Sequence, residues 1–451
     1  MNPARRLFAI LLTAMSLTGC LSAGYGYERA RQTATERIEL TSPGLDDSAE
    51  VGSTSALLDG PLTADRAARI ALARHPEVDA ALAEVGGARA ALLQALAIDN
   101  PRVGAGVRMS PNEPATLELS ATLDLARLFT LSLRETSASL RVDAASLDAA
   151  GRIVRVAFRA RRAFYEYRAA HQDLELAKTI AFATAQSADF TRRMAEAGNV
   201  PPRLELLERA LFEESRLALT RAEVAESEQR EALNRALGLY GEEAALWSIE
   251  SELEPPDDWA TAELEPLAVA RNLELAALEK RYSAAQADES VAWAEGLLPS
   301  FEVGVSAERT GDTWAAGPSV SLSLPLFYQG QGAVEAAAAE ARGVRATQAE
   351  LAISIRSMAR TIATRLEGAR AGARFYEQRL LPLRRQIVEA TLQSYNAMTA
   401  TPTEVLEAKR AELEAAREYV SILRDYWVAR ADAELLLAGQ SIGGLDSRPE
   451  Q

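Results

Sequence analysis

The chain has 451 residues, of which 49 are Lys or Arg and 64 are Asp or Glu, giving a formal charge of −15, with two histidines and one cysteine. That balance argues against a nucleic-acid partner, whose phosphates demand basic side chains, and a single cysteine excludes an internal disulfide framework. Abundant alanine with only 6% aromatic residues predicts long thin helices rather than bulky globular cores.

Residues 1–19 predict an export signal. Arg5 and Arg6 precede a short apolar stretch over residues 7–17, too short to cross a bilayer. Leu17-Thr-Gly-Cys20 follows and looks like a lipobox, in which Cys20 is diacylated and becomes the first residue of the mature chain. Loss of residues 1–19, which hold no acid, takes the charge to about −17. Leu21 and Ser22 follow the cysteine with no aspartate to suggest inner-membrane retention, so the anchor is expected in the outer membrane. Residues 20–60 mix Gly, Ser, Thr and acids without a sustained period and predict a lipid-anchored extended arm.

Two similar units then follow, residues 61–240 and 267–438. Ala71-Leu-Ala-Arg74-His-Pro-Glu77 returns as Ala268-Val-Ala-Arg271-Asn-Leu-Glu274, and Pro101-x-Val-x-Ala-Gly106-Val107 as Pro299-x-Phe-x-Val-Gly304-Val305. Thr122-Leu-Asp-Leu125 matches Ser323-Leu-Pro-Leu326, and Glu205-Leu-Leu-Glu208 matches Glu404-Val-Leu-Glu407. Four matches in one order, at offsets from 197 to 201, mark a tandem duplication. Function is therefore sought in an assembly rather than in one pocket.

In the first unit a helix is predicted from the Thr63 N-cap to about Ala97, stopped by Asn100-Pro101. Alternating runs about a Ser110-Pro-Asn-Glu-Pro114 turn then predict a β-hairpin over about 102–125. Each run has the length of a membrane-spanning strand. A breaker-poor helix over 130–197, about 100 Å long at 1.5 Å per residue, predicts a coiled coil or tube wall. The chain turns at about 197–203 and a return helix runs to about Leu239. An acidic, proline-rich stretch with Trp247 and Trp259, residues 241–266, predicts a compact lateral element. In the second unit the hairpin is expected over about 301–326, with strands 301–309 and 318–326, and the helical turn at about 396–403. Pro382 sits inside its long helix as a candidate kink, and residues 439–451 read as a loose tail.

Leu117, Leu119, Ala121, Leu123 and Leu125 would face lipid in a barrel, with Val320, Leu322, Leu324 and Leu326, while Ser321 and Ser323 would face a lumen. The histidines, His75 and His171, lie on different helices and read as structural or solvated. No His/Cys set has metal-ligand spacing, and no phosphate-binding glycine motif occurs. No catalytic residue, cofactor site or metal site is expected, and the chain is not read as an enzyme.

The order helix, β-hairpin, long helical hairpin, repeated once behind an export signal, resembles the TolC-type outer-membrane efflux factors over about residues 62–438. The lipobox suits the lipoprotein branch of that family. The resemblance implies a mainly α fold: a homotrimer with a helical tunnel in the periplasm and a shared twelve-stranded β-barrel in the outer membrane of a Gram-negative bacterium. Its partners would be outer-membrane lipid, a periplasmic adaptor protein and an inner-membrane pump, and its function that of a passive exit duct. The sharpest local match is Ser394-Tyr-Asn-Ala-Met-Thr-Ala-Thr-Pro-Thr-Glu404-Val-Leu-Glu407, which is similar to the family's tunnel-entrance turn. It implies a gate built from Tyr395, Glu404 and Glu407, the two carboxylates sharing one helix face. The chain departs where the family has a turn glycine, here Met398, and a gating arginine, here Ala400, so no arginine latch carries over. Gly198, Asn199, Val200 and Pro201 in one turn, with Met398, Thr399 and Pro402 in the other, would contact the adaptor. The other class of function compatible with the helices is a lipid-anchored periplasmic coiled-coil scaffold or adaptor without a pore.

Overall fold

The computed structural model describes residues 24–41, 60–110, 113–249 and 252–442. Cys20, the export signal and the extreme tail lie outside the described residues.

Helix α1 (Tyr27–Glu39) interrupts the segment whose composition reads as an extended arm. Its Ala30, Ala34 and Ile38 recur at every fourth position and are buried, so one stripe of small side chains seats the helix. The seat is made by Ala81, Leu82 and Val85 of α3 (Pro76–Leu96) and by Ala150, Val154 and Phe158 of the long helix α5 (Leu131–Glu196). The low hydropathy of this segment hides a narrow contact stripe, which is why composition alone misses it.

Helix α2 (Ala64–Arg74) starts at Thr63, whose side chain accepts from the Arg66 amide. The turn into α3 is capped by His75, which accepts from the Glu77 amide. The first hairpin pairs β1 (Arg102–Ser110) with β2 (Glu113–Asp124). After a short helix, α4 (Ala126–Phe129), come α5 (Leu131–Glu196) and its return partner α6 (Pro202–Leu237), 66 and 36 residues long. A 3₁₀ turn (Gly241–Ala245) leads past Trp247 to the second unit.

There the order recurs: α7 (Leu264–Arg271), α8 (Leu273–Leu297), β3 (Phe301–Thr310), β4 (Thr313–Leu322), α9 (Gln331–Phe375), a π-helical segment (Tyr376–Leu380), α10 (Leu381–Asn396) and α11 (Pro402–Leu437). The 45, 5 and 16 residues from α9 to α10 equal the 66 of α5, and α11 repeats the 36 of α6. The boundaries of the two helical hairpins therefore share one register: Leu131 corresponds to Gln331, Glu196 to Asn396, Pro202 to Pro402 and Leu237 to Leu437.

Strand β4 corrects one expectation. It begins at Thr313 rather than Pro318, and residues 323–326 lie beyond its end. The turn is only Gly311-Asp312, with Gly311 left-handed at φ +59°, the glycine-led two-residue connection that suits a twisted hairpin. Gly317 and Pro318 look like turn residues but stand in an outer strand of the four-stranded sheet, where proline is tolerated.

The four strands form one antiparallel sheet in the order β1-β2-β3-β4. Below it α5 is the spine, contacting α1, α2, α3, α6, α8 and α11. The best-buried region is the waist, where Trp247, Leu233, Leu237, Phe164 and Tyr167 share a core with Val420 and Leu423 of α11. The Trp247 indole donates to Asn234 (2.9 Å), and the Arg230 guanidinium lies 4.3 Å over its ring. Trp259 supports the Arg430 guanidinium from 4.2 Å in the corresponding place of the second unit.

Candidate functional site: the two-faced sheet and the hairpin tips

Cross-strand partners share a face of a sheet, so the register sorts the strands. Val103, Ala105 and Val107 lie opposite Ala121, Leu119 and Leu117; Leu119, Ala121 and Leu123 lie opposite Ala307, Val305 and Val303; Val303 and Phe301 lie opposite Val320 and Leu322. Among the described side chains one face is therefore apolar across all four strands, apart from Arg309. Leu125, Leu324 and Leu326 fall beyond the strand ends and do not belong to it.

The other face is polar and holds small residues: Gly104, Gly106, Ser120, Thr122, Gly304, Ser306, Ser319 and Ser321. Its charges meet across the strands, Arg102 donating to Glu302 at 2.7 Å and Arg108 pairing with Glu118. Thr116 and Thr310 hydroxyls bond at 3.2 Å. Glu118 stands opposite Glu308, and Asp124 opposite Glu302, so this face carries four acids against two arginines. Ser323 lies past β4, where its hydroxyl bonds Ser300 at 2.6 Å. Strands of 9 to 12 residues match a membrane's apolar thickness, and β1 and β4 each present an unpaired edge within the chain. No helix among the described residues is long and apolar enough to cross a membrane.

At the far end of the helical hairpins the two tips close alike. After α5, the amide of Gly198 donates to Ala195 (3.0 Å) and that of Asn199 to Met194 (2.9 Å). After α10, Met398 donates to Tyr395 (2.8 Å) and Thr399 to Ser394 (2.9 Å). Both are Schellman caps, which need a left-handed residue: Gly198 has φ +73° and Met398 φ +57°. Pro202 and Pro402 then open the return helices, where a missing amide costs nothing.

This register corrects the match between the acidic pairs. With the tips superposed, Glu404 corresponds to Leu204 and Glu407 to Leu207, whereas Glu205 and Glu208 correspond to Val405 and Ala408. A one-residue slip turns a side chain about 100° around a helix, and the environments differ accordingly. Glu208 is only 5% exposed and accepts from Ser187 at 2.5 Å, beside a buried Thr184–Ser215 hydroxyl pair at 2.6 Å. Glu407 is exposed. Glu404 and Thr401 form a capping box: the Thr401 hydroxyl accepts from the Glu404 amide (3.3 Å), and the Glu404 carboxylate accepts from the Thr401 amide (2.7 Å). Tyr395, near the end of α10, is exposed along with Met398. Asn199 is exposed and Val200 half-buried; Pro201 and Thr399 are exposed and Pro402 is half-buried.

One long-range contact has no local sequence signal. Arg417 of α11 grips Asp173 of α5 through two hydrogen bonds of 2.6 and 2.7 Å, an ion pair spanning 244 residues. That pairing holds the Arg417 guanidinium above its usual range. Among the described residues no group of three His, Cys, Asp or Glu side chains is placed to hold a metal ion.

No protein-family model matches the chain. It is 25% identical over 391 residues to the cobalt-zinc-cadmium resistance protein CzcC of Cupriavidus metallidurans, covering 84% of this chain and 90% of that one. Its fold is similar to that of a membrane protein from Pseudomonas aeruginosa, with a TM-score of 0.71 at 16% identity, over 84% of this chain and 90% of the other. It is also similar to the outer membrane protein VceC of Vibrio cholerae, with a TM-score of 0.68 at 16% identity, over 84% and 96% of the two chains.

Proposed function

We propose that this chain, which belongs by fold to the TolC-type outer-membrane efflux channels, is the passive exit duct of a tripartite efflux system, opened by docking with a periplasmic adaptor and an inner-membrane pump. The observation that carries this reading is the two-faced sheet continuous with helical hairpins about 100 Å long. Four strands cannot close a barrel, and unpaired strand edges do not persist in lipid. Three copies supply an even, closed set of twelve strands. The apolar face then meets lipid and the polar face lines the lumen. A scaffold without a pore has no use for such a sheet.

The same logic applies to the helices. Within one copy α6 packs on α5, α5 on α11 and α11 on α10, which leaves α6 and α10 as free flanks. Leu206, Leu217 and Val224 on α6, and Leu383 and Ile387 on α10, are exposed. Closure of a tunnel by three copies would cover them.

Membrane attachment through a diacylated Cys20 is supported by the entry of α1. Tyr25 packs with Leu92, Leu96, Ala138 and Val142, near where α3 ends and β1 begins. The short stretch from Cys20 to Tyr25 has a reach of up to about 17 Å, enough to bring a lipid to the sheet end of the molecule. Tyr395, Glu404 and Glu407 remain the residues proposed to constrict the tunnel entrance. The tips, Gly198 to Pro201 in one hairpin and Met398, Thr399 and Pro402 in the other, are proposed to meet the adaptor. The likeness to a cobalt-zinc-cadmium resistance protein and the acid excess of the polar sheet face favour cations as cargo.

The test is the mass of the native protein in detergent together with lipid labelling. A particle of three chains, labelled in the wild type and unlabelled in Cys20→Ser, is expected. A monomer overturns the duct, and label persisting without Cys20 overturns the anchor.

A further inference from the structure

The charges of the sheet are sorted by face with one exception. Among the described side chains of the four strands, Arg102, Arg108, Glu118, Asp124, Glu302 and Glu308 stand on the polar face, and Arg309 alone stands on the apolar one. Its cross-strand neighbours are Leu117 and Trp314, neither of which neutralises it. Closure of the barrel adds no acid, because β1 of the next copy would bring Val103, Ala105 and Val107 to this face. A lone guanidinium facing lipid is costly at mid-membrane and cheap at an interface, so its depth decides what it meets.

The depth follows from the register. Arg309 is the next-to-last residue of β3, whose first is Phe301. At about 3.3 Å per residue the two are about 26 Å apart along the strand, which is about 20 Å of depth at a tilt of about 40°. Phe301 packs edge-on against Phe129, ring centroids 6.1 Å apart, an aromatic pair suited to one membrane–water interface. Arg309 then lies at the other interface, beside the Gly311-Asp312 turn. The helical hairpins leave from the Phe301 end, so the Arg309 end faces out of the cell.

The guanidinium is held in place there. Its Nε donates to the Gly311 carbonyl at 3.0 Å, and its central carbon lies 5.8 Å from the Trp314 ring centroid. Asp312 approaches Nη2 at 3.5 Å but is fully exposed, and such a pair in water is weak. Nη1 has no partner among the described residues. An arginine edge is thus presented at headgroup level, with an indole beside it at the boundary between headgroups and acyl chains.

We propose that Arg309 and Trp314 form a binding site for the phosphate of an outer-leaflet glycolipid, one site per copy around the outer rim of the barrel. A phosphate offers two oxygens to the planar guanidinium fork and displaces the weakly held Asp312. The indole packs on the sugar that carries the phosphate. An anionic lipid thereby supplies the counter-charge that no strand provides, and the bound ring of lipid fixes the depth of the barrel in the membrane.

The site rests on the duct reading, and one preparation separates the two: the full-length protein in phosphatidylcholine nanodiscs, titrated with diphosphoryl lipid A and weighed by native mass spectrometry. The wild-type trimer should retain one lipid A per copy. Arg309→Gln should weaken retention about tenfold, the loss of one charge-assisted contact. Arg309→Lys, which keeps the charge without the fork, should fall between them, and Arg102→Gln on the polar face should match wild type. Lipid A stripped of its phosphates should bind the wild type no better than the intact lipid binds Arg309→Gln. Phosphatidylglycerol in equal amount should displace little of the bound lipid A. Equal retention by wild type and Arg309→Gln overturns the site, as does an equal loss in Arg309→Gln and Arg102→Gln or full binding of the stripped lipid. Displacement by phosphatidylglycerol as effective as by lipid A itself overturns the glycolipid as ligand. A monomer in the nanodisc overturns the duct itself.

Discussion

Met398 holds at the end of the second hairpin the left-handed backbone that Gly198 holds at the end of the first, with φ of +57° and +73°. The Cβ of a non-glycine residue crowds the following carbonyl in this conformation, at a cost of about 1–2 kcal/mol. Met398→Gly is therefore expected to stabilise its tip by about 1 kcal/mol, and Gly198→Met to weaken the other by a similar amount. Hydrogen exchange at the Met398 and Thr399 amides, which close the turn, should slow in the first variant. Unchanged exchange would mean that the turn carries no such strain.

The two acidic pairs should answer differently to truncation. Glu208→Ala removes the acceptor of a buried hydroxyl and should cost about 1–3 kcal/mol of stability, read as a lower thermal midpoint. Glu407→Ala, at an exposed position, should change stability by no more than about 0.5 kcal/mol while altering cation block of the current. Glu404→Ala removes half of a capping box and should fray the start of α11 at about 1 kcal/mol. Equal thermal effects of Glu208→Ala and Glu407→Ala would contradict the register set by the tips.

That register shows where sequence reading reaches and where it stops. Period and punctuation are local, so the first hairpin, the overlong helices and both proline-marked turns were legible. Glu205-Leu-Leu-Glu208 and Glu404-Val-Leu-Glu407 look alike, but only the caps at Gly198 and Met398 fix the register, and the left-handed role of a methionine is invisible in letters. The extent of β4 was obscured by Gly317 and Pro318, although Gly311-Asp312 between alternating runs was the available signal. Helix α1 depends on a stripe of two alanines and an isoleucine against a groove that α3 and α5 form much later in the chain. The Asp173–Arg417 pair and the π segment arise only when distant helices are packed together.

The sheet should tolerate charge on one face only. Leu119→Arg, on the apolar face, is expected to cost about 2–4 kcal/mol at mid-membrane depth. Ser120→Arg, its neighbour on the polar face, should fold normally and shift ion selectivity. The folded fraction in lipid vesicles distinguishes them. Equal loss in both variants would contradict the assignment of faces.

Stability should depend on pH through His75. Burial pushes its imidazole below the ordinary 6.5, reinforced by Arg159 and opposed by Glu77 and the Arg235 carbonyl. Only an unprotonated Nδ1 can accept from the Glu77 amide, as it does at 3.2 Å. The unfolded chain therefore takes up its proton first as pH falls. The contribution is present above about pH 6.5 and is lost as pH drops through the lowered folded value. His75→Asn copies the Asn272 cap of the second unit, which accepts from the Leu275 amide at 2.8 Å. It should flatten the fall in thermal midpoint between pH 7 and pH 5. An identical slope in wild type and variant would remove His75 from this role.

The most direct test of the duct is the current carried by the purified, trimeric wild-type protein across a planar bilayer. Discrete conductance steps that favour cations over anions are expected from a closed barrel whose lumen carries Glu118, Asp124, Glu302 and Glu308 against Arg102 and Arg108. A correctly assembled trimer that inserts into the bilayer and passes no ions at any voltage, both as wild type and with Tyr395 and Glu407 of the proposed constriction replaced by Ala, would contradict it.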